Sequence, residues 1–199
     1  MIVMEAAGIG RAAAARLAAH GHLVLIGGRQ IAESERFAAR LRDRGGSAFA
    51  AHLDLADPWS INRFLAAAHY LIGTPDVLIT DVGLTGPAGD FPDSVWVGAQ
   101  TLATRVIPDM IGRGSGDVVL VGPELAGVAG SIDEKVDGKV QAWLAALDAE
   151  FVGTGVRASV VRSACPGAFT EDAGRLLAGL VTGPRLQLIE VLPAAAAAR

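Results

Sequence analysis

Short apolar runs alternate with helical patterns along almost the whole chain. The apolar runs are rich in β-branched and aliphatic residues, the composition that buried strands favour. Seven segments have this character: Ile2–Met4, Leu23–Ile26, Ala48–Leu53, Val77–Thr80, Asp117–Val121, Val156–Arg162 and Leu186–Val191. Because these runs are mostly apolar rather than alternating with polar residues, we expect strands that are covered on both faces.

Between the apolar runs, hydrophobic residues recur at the spacing of amphipathic helices. Six helices are predicted: Arg11–His20, Ile31–Arg44, Trp59–Ile72, Ser94–Ile111, Ser131–Phe151 and Glu171–Leu180. A strand-then-helix alternation predicts parallel strands joined by right-handed helical crossovers, with helices on both faces of the sheet. The sequence therefore predicts an α/β fold of three layers, a Rossmann-type doubly wound parallel sheet of about seven strands.

Composition narrows the class of protein further. The chain has 199 residues, 51% of them hydrophobic, which suits a single domain over residues 1–199 with an Ala-rich, frayed tail at 193–199. A net charge of −4 without a basic tract argues against nucleic-acid binding. The one cysteine and the scattered histidines predict neither an internal disulfide nor a metal site.

The hydropathy of the chain also bears on its location. No apolar run reaches the roughly 18 residues that span a bilayer, and residues 1–5 lack the pattern of a signal peptide. We therefore expect a cytoplasmic protein without membrane contact.

The three tryptophans of the chain are expected to be core or interface anchors.

A glycine-rich turn separates the first predicted strand from the first helix. Gly8, Ile9 and Gly10 begin a G-x-G-x-x-A pattern that ends at Ala13. Glycines let the backbone approach a pyrophosphate closely, and the helix that follows offers its amides and the positive end of its dipole. The strand–turn–helix context predicts a dinucleotide site at this turn.

Arg29 follows the second predicted strand, 21 positions after Gly8. An acidic residue at such a position binds the ribose 2′-hydroxyl of NAD, whereas an arginine suits the 2′-phosphate of NADP. The residue favours NADP(H) over NAD(H) as the cofactor. The alternative is that Gly28 and Arg29 form only a polar turn that closes the strand.

An ordered series of motifs resembles the short-chain dehydrogenase/reductase family over nearly the whole chain. The glycine turn and Arg29 come first. Asp54 and Leu55 resemble the family's adenine-binding loop, and Gly83 lies in a segment similar to its Asn-Asn-Ala-Gly turn. The later matches are Thr104–Met110, Gly155–Arg157, Pro166–Gly167 and Thr182–Gly183.

The resemblance implies an oxidoreductase that uses NADP(H) on a small-molecule alcohol or carbonyl. It implies these cofactor-binding residues: Gly8, Ile9, Gly10, Arg29, Asp54, Leu55, Gly83, Lys139, Pro166, Gly167 and Thr170. Family members also associate through two long helices, here Ser94–Ile111 and Ser131–Phe151. A homo-oligomer or hetero-oligomer, such as a dimer or tetramer, is therefore expected.

The family's catalytic tyrosine and lysine do not recur in their usual form. The tyrosine stands four residues before the lysine, and alignment puts Lys135 and Lys139, the only two lysines, at these positions. A shift of four residues gives Ser131 and Lys135 instead. The only tyrosine, Tyr70, lies in the third predicted helix, where we expect it to pack.

The family's other two catalytic residues, a serine and an asparagine, are also replaced. The serine position falls on Pro123 or Glu124, and the asparagine position falls on Trp96. Upstream, Met4 stands where the family has the first glycine of its cofactor turn. The fold motifs are thus kept while the catalytic motifs are altered.

Three functions fit this combination. The first is an oxidoreductase in which Lys139 contacts the nicotinamide ribose and Lys135 lies near the reacting oxygen. The second is a catalytically inactive binding or scaffold subunit, paired with an active homologue, whose degraded site need hold no cofactor. The third is a cofactor-free isomerase or lyase that reuses the cleft. For the lysines, a simpler interpretation is a solvated, charged first helical turn.

Overall fold

The computed structural model describes residues 2–4, 9–81, 93–121, 134–163, 179 and 188–191. The strands in these ranges are β1 (Ile2–Met4), β2 (Leu23–Gly28), β3 (Ser47–His52), β4 (Val77–Asp81), β5 (Gly116–Val121), β6 (Val156–Ser163) and β7 (Leu188–Val191). The helices are α1 (Ile9–Ala19), α2 (Ile31–Asp43), α3 (Pro58–Ile72), α4 (Asp93–Arg113) and α5 (Glu134–Glu150). The predicted helix at 171–180 and the tail at 193–199 fall almost wholly outside the described ranges.

The seven strands form one sheet in the order β3-β2-β1-β4-β5-β6-β7, and every neighbouring pair is parallel. The chain winds from β1 outward to β3, crosses back to β4, and then winds outward to β7. This confirms the predicted doubly wound parallel sheet of about seven strands. The direction of winding reverses between β1 and β4, and such a reversal opens a crevice at the carboxyl ends of the two strands.

Strand β2 shows how the sheet is buried on both faces. Leu25 packs into the hydrophobic cluster that α3, α4 and α5 cover, whereas Val24 and Ile26 pack into the cluster beneath α1 and α2. All three side chains are buried. The layers of helix, sheet and helix explain why this strand is apolar at consecutive positions.

The strand boundaries differ from the predicted ones where glycines and small residues stand. Strand β2 continues past Ile26 to Gly28, because Gly27 and Gly28 pair in register with Ala51 and His52 of β3. Pairing with a neighbouring strand overrides the low strand propensity of glycine. Strand β2 therefore ends directly before Arg29.

Two aromatic side chains on α3 face solvent. Tyr70 is 88% exposed and Trp59 is 76% exposed. The expectation that Tyr70 packs was wrong, and Trp59 does not serve as a core anchor. The apolar part of the buried face of α3 is formed by Ile61, Phe64 and Ala68 instead.

The helices in the described part of the chain include none with the length and hydropathy that a membrane span requires.

An in-register ion pair joins the neighbouring strands β5 and β6. The guanidinium of Arg157 donates from Nε to Asp117 Oδ1 at 2.5 Å and from Nη2 to Asp117 Oδ2 at 2.8 Å. The two residues are Cα partners in the sheet, and both side chains are mostly buried. The hydrogen bond to Asp117 raises the pKa of the Arg157 guanidinium.

We predict that Arg157→Lys lowers the free energy of unfolding by about 1–2 kcal/mol, because an ammonium cannot form the two parallel bonds of a guanidinium. Urea unfolding measures the change. The control is Glu35→Gln, which removes an exposed pair between Glu35 and Arg42 at 3.8 Å and should cost under about 0.5 kcal/mol. Equal effects from the two variants would contradict the prediction.

Candidate functional site

Helix α1 contacts β1 and β2, next to the reversal of winding between β1 and β4. Its described part starts at Ile9, and Gly10 is buried. The first turn of α1 contains no acidic residue. Its free amides and the positive end of the helix dipole therefore form a favourable environment for an anion. Gly8, the first glycine of the predicted pattern, lies outside the described residues.

Arg29 stands at the same edge of the sheet. Because β1 and β2 are parallel and in register, with Met4 opposite Gly27, their carboxyl ends lie side by side. Arg29 follows the end of β2 directly, comes two residues before α2, and is exposed. The fold thus places Arg29 and the start of α1 at the same edge of the sheet.

An ion pair connects the first turns of α1 and α2 at this edge. Arg11 Nη2 donates to Glu33 Oε1 at 2.5 Å. The Arg11 guanidinium also lies 5.3 Å from the ring centroid of Phe37 on α2, a cation–π distance. Sequence reasoning missed this pair, because its members are 22 residues apart and no local pattern couples them.

The loop after β3 is held by side chains close to its own backbone. The amide of Asp54 donates to Ser60 Oγ at 2.9 Å, and the amide of Ala56 donates to Asp54 Oδ1 at 2.9 Å. Ser60 is fully buried, and its Oγ lies 3.1 Å from His52 Nδ1. Ser60 thereby fixes the conformation of the predicted adenine-binding loop, a role that the sequence did not reveal.

Helix α4 packs directly on this loop through a glycine. A Cβ built on Gly98 would lie 1.9 Å from the carbonyl oxygen of Leu55. Leu55 itself is buried and belongs to the same hydrophobic cluster as Trp96 and Ala99 of α4. The position of the Asp54–Leu55 segment therefore depends on close backbone contact with α4.

We predict that Gly98→Ala destabilises the protein by about 2–3 kcal/mol, because the added methyl group overlaps the Leu55 carbonyl and forces α4 away from the loop. The matched control is Gly112→Ala on the same helix, where an added Cβ meets nothing within 4 Å. That variant should stabilise the helix by about 0.5–1 kcal/mol. Urea unfolding measures both, and destabilisation by Gly112→Ala as well would argue against the contact as the cause.

The two lysines lie on α5, four residues apart, as the sequence predicted. Lys139 Nζ donates to Asp93 Oδ1 at 2.5 Å, which joins α5 to the first residue of α4. The hydrogen bond from Lys139, together with its positive charge, lowers the pKa of the Asp93 carboxyl. For Lys135, the structure describes the helical backbone at the start of α5 but not the side chain.

We predict that Asp93→Asn lowers the melting temperature at neutral pH. A carboxyl whose pKa is lowered by folding stabilises the folded state above its unfolded pKa of about 3.9, and the stabilisation is lost as the pH falls through the folded value. The difference between wild type and Asp93→Asn should therefore begin to shrink as the pH falls below about 4, and it should vanish once the pH lies below the lowered pKa of the folded state. Added salt should also shrink it, because the pair is exposed.

The control for this measurement is Asp109→Asn, which removes an exposed carboxylate near the other end of α4. It should not lower the melting temperature at neutral pH. A difference between wild type and Asp93→Asn that persists unchanged at acidic pH would contradict the ion pair.

Trp96, which stands where the resemblance places an asparagine, forms an aromatic pair with Trp143. Trp96 is buried, and its ring meets that of Trp143 on α5 edge-to-face, with centroids 5.3 Å apart and planes at 75°. Aromatic pairs of this geometry stabilise packing beyond the area they bury. The predicted anchor role is confirmed for Trp96, and the contact joins α4 to α5 with apolar surface.

The remaining predicted site residues are outside the part of the chain that the structure describes. They are Gly83, Pro166, Gly167 and Thr170. Within the described ranges, no group of three or more His, Cys, Asp or Glu residues is arranged to hold a metal ion. The described site therefore consists of the edge formed by α1, Arg29 and the Asp54–Leu55 loop, with the pair Lys139 and Asp93 on α5 and α4.

Comparison with known proteins adds family relationships to this geometry. The sequence profile described as short chain dehydrogenase matches residues 1–173. The chain is 30% identical over 156 residues to the ketoacyl reductase HetN of Nostoc sp., covering 71% of this chain and 53% of that protein. It is 28% identical to 2,5-dichloro-2,5-cyclohexadiene-1,4-diol dehydrogenase LinX of Sphingobium indicum, covering 81% and 70%. The chain thus spans about half the length of HetN.

Solved structures show the same fold. A metagenomic short-chain oxidoreductase in complex with NADP superposes with a TM-score of 0.80 at 23% identity, covering 97% of this chain and 96% of that one. A 3-ketoacyl-ACP reductase from Sinorhizobium meliloti 1021 superposes with a TM-score of 0.76 at 21% identity, covering 95% and 96%. At these identities the likeness is one of fold.

Proposed function

The chain belongs to the short-chain dehydrogenase/reductase family, and on that premise we propose that it is an oxidoreductase that binds NADP(H) and acts on an alcohol or carbonyl. One observation carries the proposal. The N-terminus of α1 and Arg29 lie at the edge of the sheet where the winding direction reverses. Open α/β sheets bind their ligands at such a reversal, outside the carboxyl ends of the strands.

The described residues fit an anionic dinucleotide. The first turn of α1 carries no acid, and Glu33, the acid in the first turn of α2, is paired with Arg11. A pyrophosphate placed against α1 would therefore meet helix amides, with no uncompensated acid among these two turns.

Each part of the cofactor then has residues to hold it. The backbone of Gly8, Ile9 and Gly10 would receive the pyrophosphate, and Arg29 the 2′-phosphate. Asp54 and Leu55 would bound the adenine. Gly83, Pro166, Gly167 and Thr170 are proposed, on the resemblance alone, to surround the nicotinamide half.

The known relatives support the reaction class. One is named a ketoacyl reductase, another a diol dehydrogenase, and the metagenomic neighbour binds NADP. When bound, the cofactor supplies or accepts a hydride. What remains for the protein is to hold the ribose and to move a proton at the substrate oxygen.

Lys139 and Lys135 are the residues we propose for these two tasks. An ammonium has three donors, so Lys139 can bond Asp93 and a ribose hydroxyl at the same time. Lys135 precedes it by one helical turn and is proposed to exchange the proton with the substrate oxygen.

A second candidate is a catalytically inactive binding subunit. The observation that favours it is the buried Trp96, which stands where the resemblance places the family's asparagine and packs edge-to-face on the partly buried Trp143. In this case NADPH would bind, yet its near-ultraviolet absorbance would stay constant with every carbonyl compound offered. Consumption of NADPH with any of them excludes the inactive subunit.

Assembly and location are further proposals from the same resemblance and composition. We propose an oligomer, either of this chain or with a homologue, formed through α4 and α5, in the cytoplasm. The exposed Val97 on α4 is the kind of apolar side chain that such contact would cover.

We predict that NADPH at about 100 times its dissociation constant raises the melting temperature by about 5 °C, because a ligand that binds only the native state stabilises it. Arg29→Glu should abolish the shift, since it replaces the cation proposed for the 2′-phosphate by an anion. Differential scanning fluorimetry measures both.

The control is Arg44→Glu, an equal charge change at the exposed C-terminal end of α2, on the opposite edge of the sheet. It should leave the NADPH shift intact. Absence of any shift in the wild-type protein with millimolar NADPH or NADH would refute cofactor binding.

A further inference from the structure

We propose that Glu33, through its ion pair with Arg11, limits how strongly the site prefers NADP(H) over NAD(H). This inference rests on the proposed function, because it concerns the same cofactor edge. Arg11 and Glu33 would thus determine cofactor specificity in addition to the glycine turn and Arg29.

Three charged residues belong to the segments where α1 and α2 begin. Arg11 lies in the first turn of α1, Glu33 in the first turn of α2, and Arg29 two residues before α2. The 2.5 Å contact between Arg11 Nη2 and Glu33 Oε1 cancels one of the two positive charges. The formal charges of Arg11, Glu33 and Arg29 add up to +1, and without the Glu33 carboxylate the same sum would be +2.

The binding of NADP and the binding of NAD depend differently on this charge. The 2′-phosphate of NADP is an anion, so an Arg11 guanidinium that Glu33 no longer neutralises would attract it more strongly. The 2′-hydroxyl of NAD is neutral and is nearly insensitive to the same change. The Arg11 and Glu33 side chains are 32% and 37% exposed, which leaves the interaction screened only in part.

Arg11 is held at this edge by more than Glu33. Its guanidinium lies 5.3 Å from the Phe37 ring centroid, and Arg40 lies on the same ring at 5.7 Å. The ring of Phe37 belongs to the cluster beneath α1 and α2. Removing the charge of Glu33 therefore leaves Arg11 with a contact that keeps it between the two helices.

The test is the Glu33→Gln variant, with NADPH and NADH titrated separately by isothermal calorimetry. We expect the dissociation constant of NADPH to fall about threefold to tenfold, while that of NADH changes less than about twofold. The matched control is Glu35→Gln, which removes the same charge from the same helix but from a pair with Arg42 on the exposed side. It should leave the ratio of the two constants unchanged.

Variants of Arg11, the other member of the pair, complete a double-mutant cycle. Arg11→Gln leaves Glu33 without this partner and should weaken NADPH binding severalfold more than NADH binding. The double variant Arg11→Gln/Glu33→Gln should return close to the wild-type ratio, because it restores the same net charge. A purely structural role for the pair would instead move both nucleotides equally in every variant.

The outcomes separate the two proposals. Binding by the wild type with an unchanged NADPH to NADH ratio in Glu33→Gln overturns the specificity role and leaves the proposed function standing. An equal shift in Glu35→Gln also overturns it, since the effect would then be one of overall charge. Failure of the wild type to bind either nucleotide overturns the proposed function and this inference together.

Discussion

Burial of the parallel sheet on both faces is the constraint on which the rest of the structure depends. In β2, consecutive residues Val24 and Leu25 belong to different hydrophobic clusters, one under α1 and α2 and one under α3, α4 and α5. A strand placed in this way needs helices on both sides, and parallel pairing needs each crossover to return to the same edge. The carboxyl ends of the strands are consequently gathered along one edge, where the turns between strand and helix carry the functional residues.

The alternation of apolar runs and helical periods was sufficient to predict the sheet. Each predicted strand corresponds to a strand of the structure, with shifts of a few residues at ends such as Gly28, where cross-strand pairing decides the boundary. Side-chain exposure was harder to predict. Tyr70 was expected to pack because aromatic residues usually do, yet its place on the outward face of α3 leaves it in solvent.

The candidate site was predictable only where its residues follow the chain locally. The start of α1 soon after β1 and the place of Arg29 directly after β2 are local features that an alternation of strands and helices encodes. Ser60 beneath the Asp54 loop, Glu33 opposite Arg11 and Asp93 opposite Lys139 are contacts between separate elements. No periodicity relates their members, so they emerge only when the helices are packed.

Helix α4 is attached on two sides by contacts of different physical kinds. Toward the loop after β3 the contact is backbone against backbone, at Gly98 and Leu55. Toward α5 it is an ion pair at Asp93 and an aromatic pair at Trp96. A rigid backbone contact transmits displacement, whereas side-chain contacts can turn and adjust. Because the two backbones are already in close contact at Gly98, a movement of the Asp54–Leu55 segment toward α4 would have to displace the helix. The side chains that join α4 to α5 can adjust to such a displacement by changing rotamer.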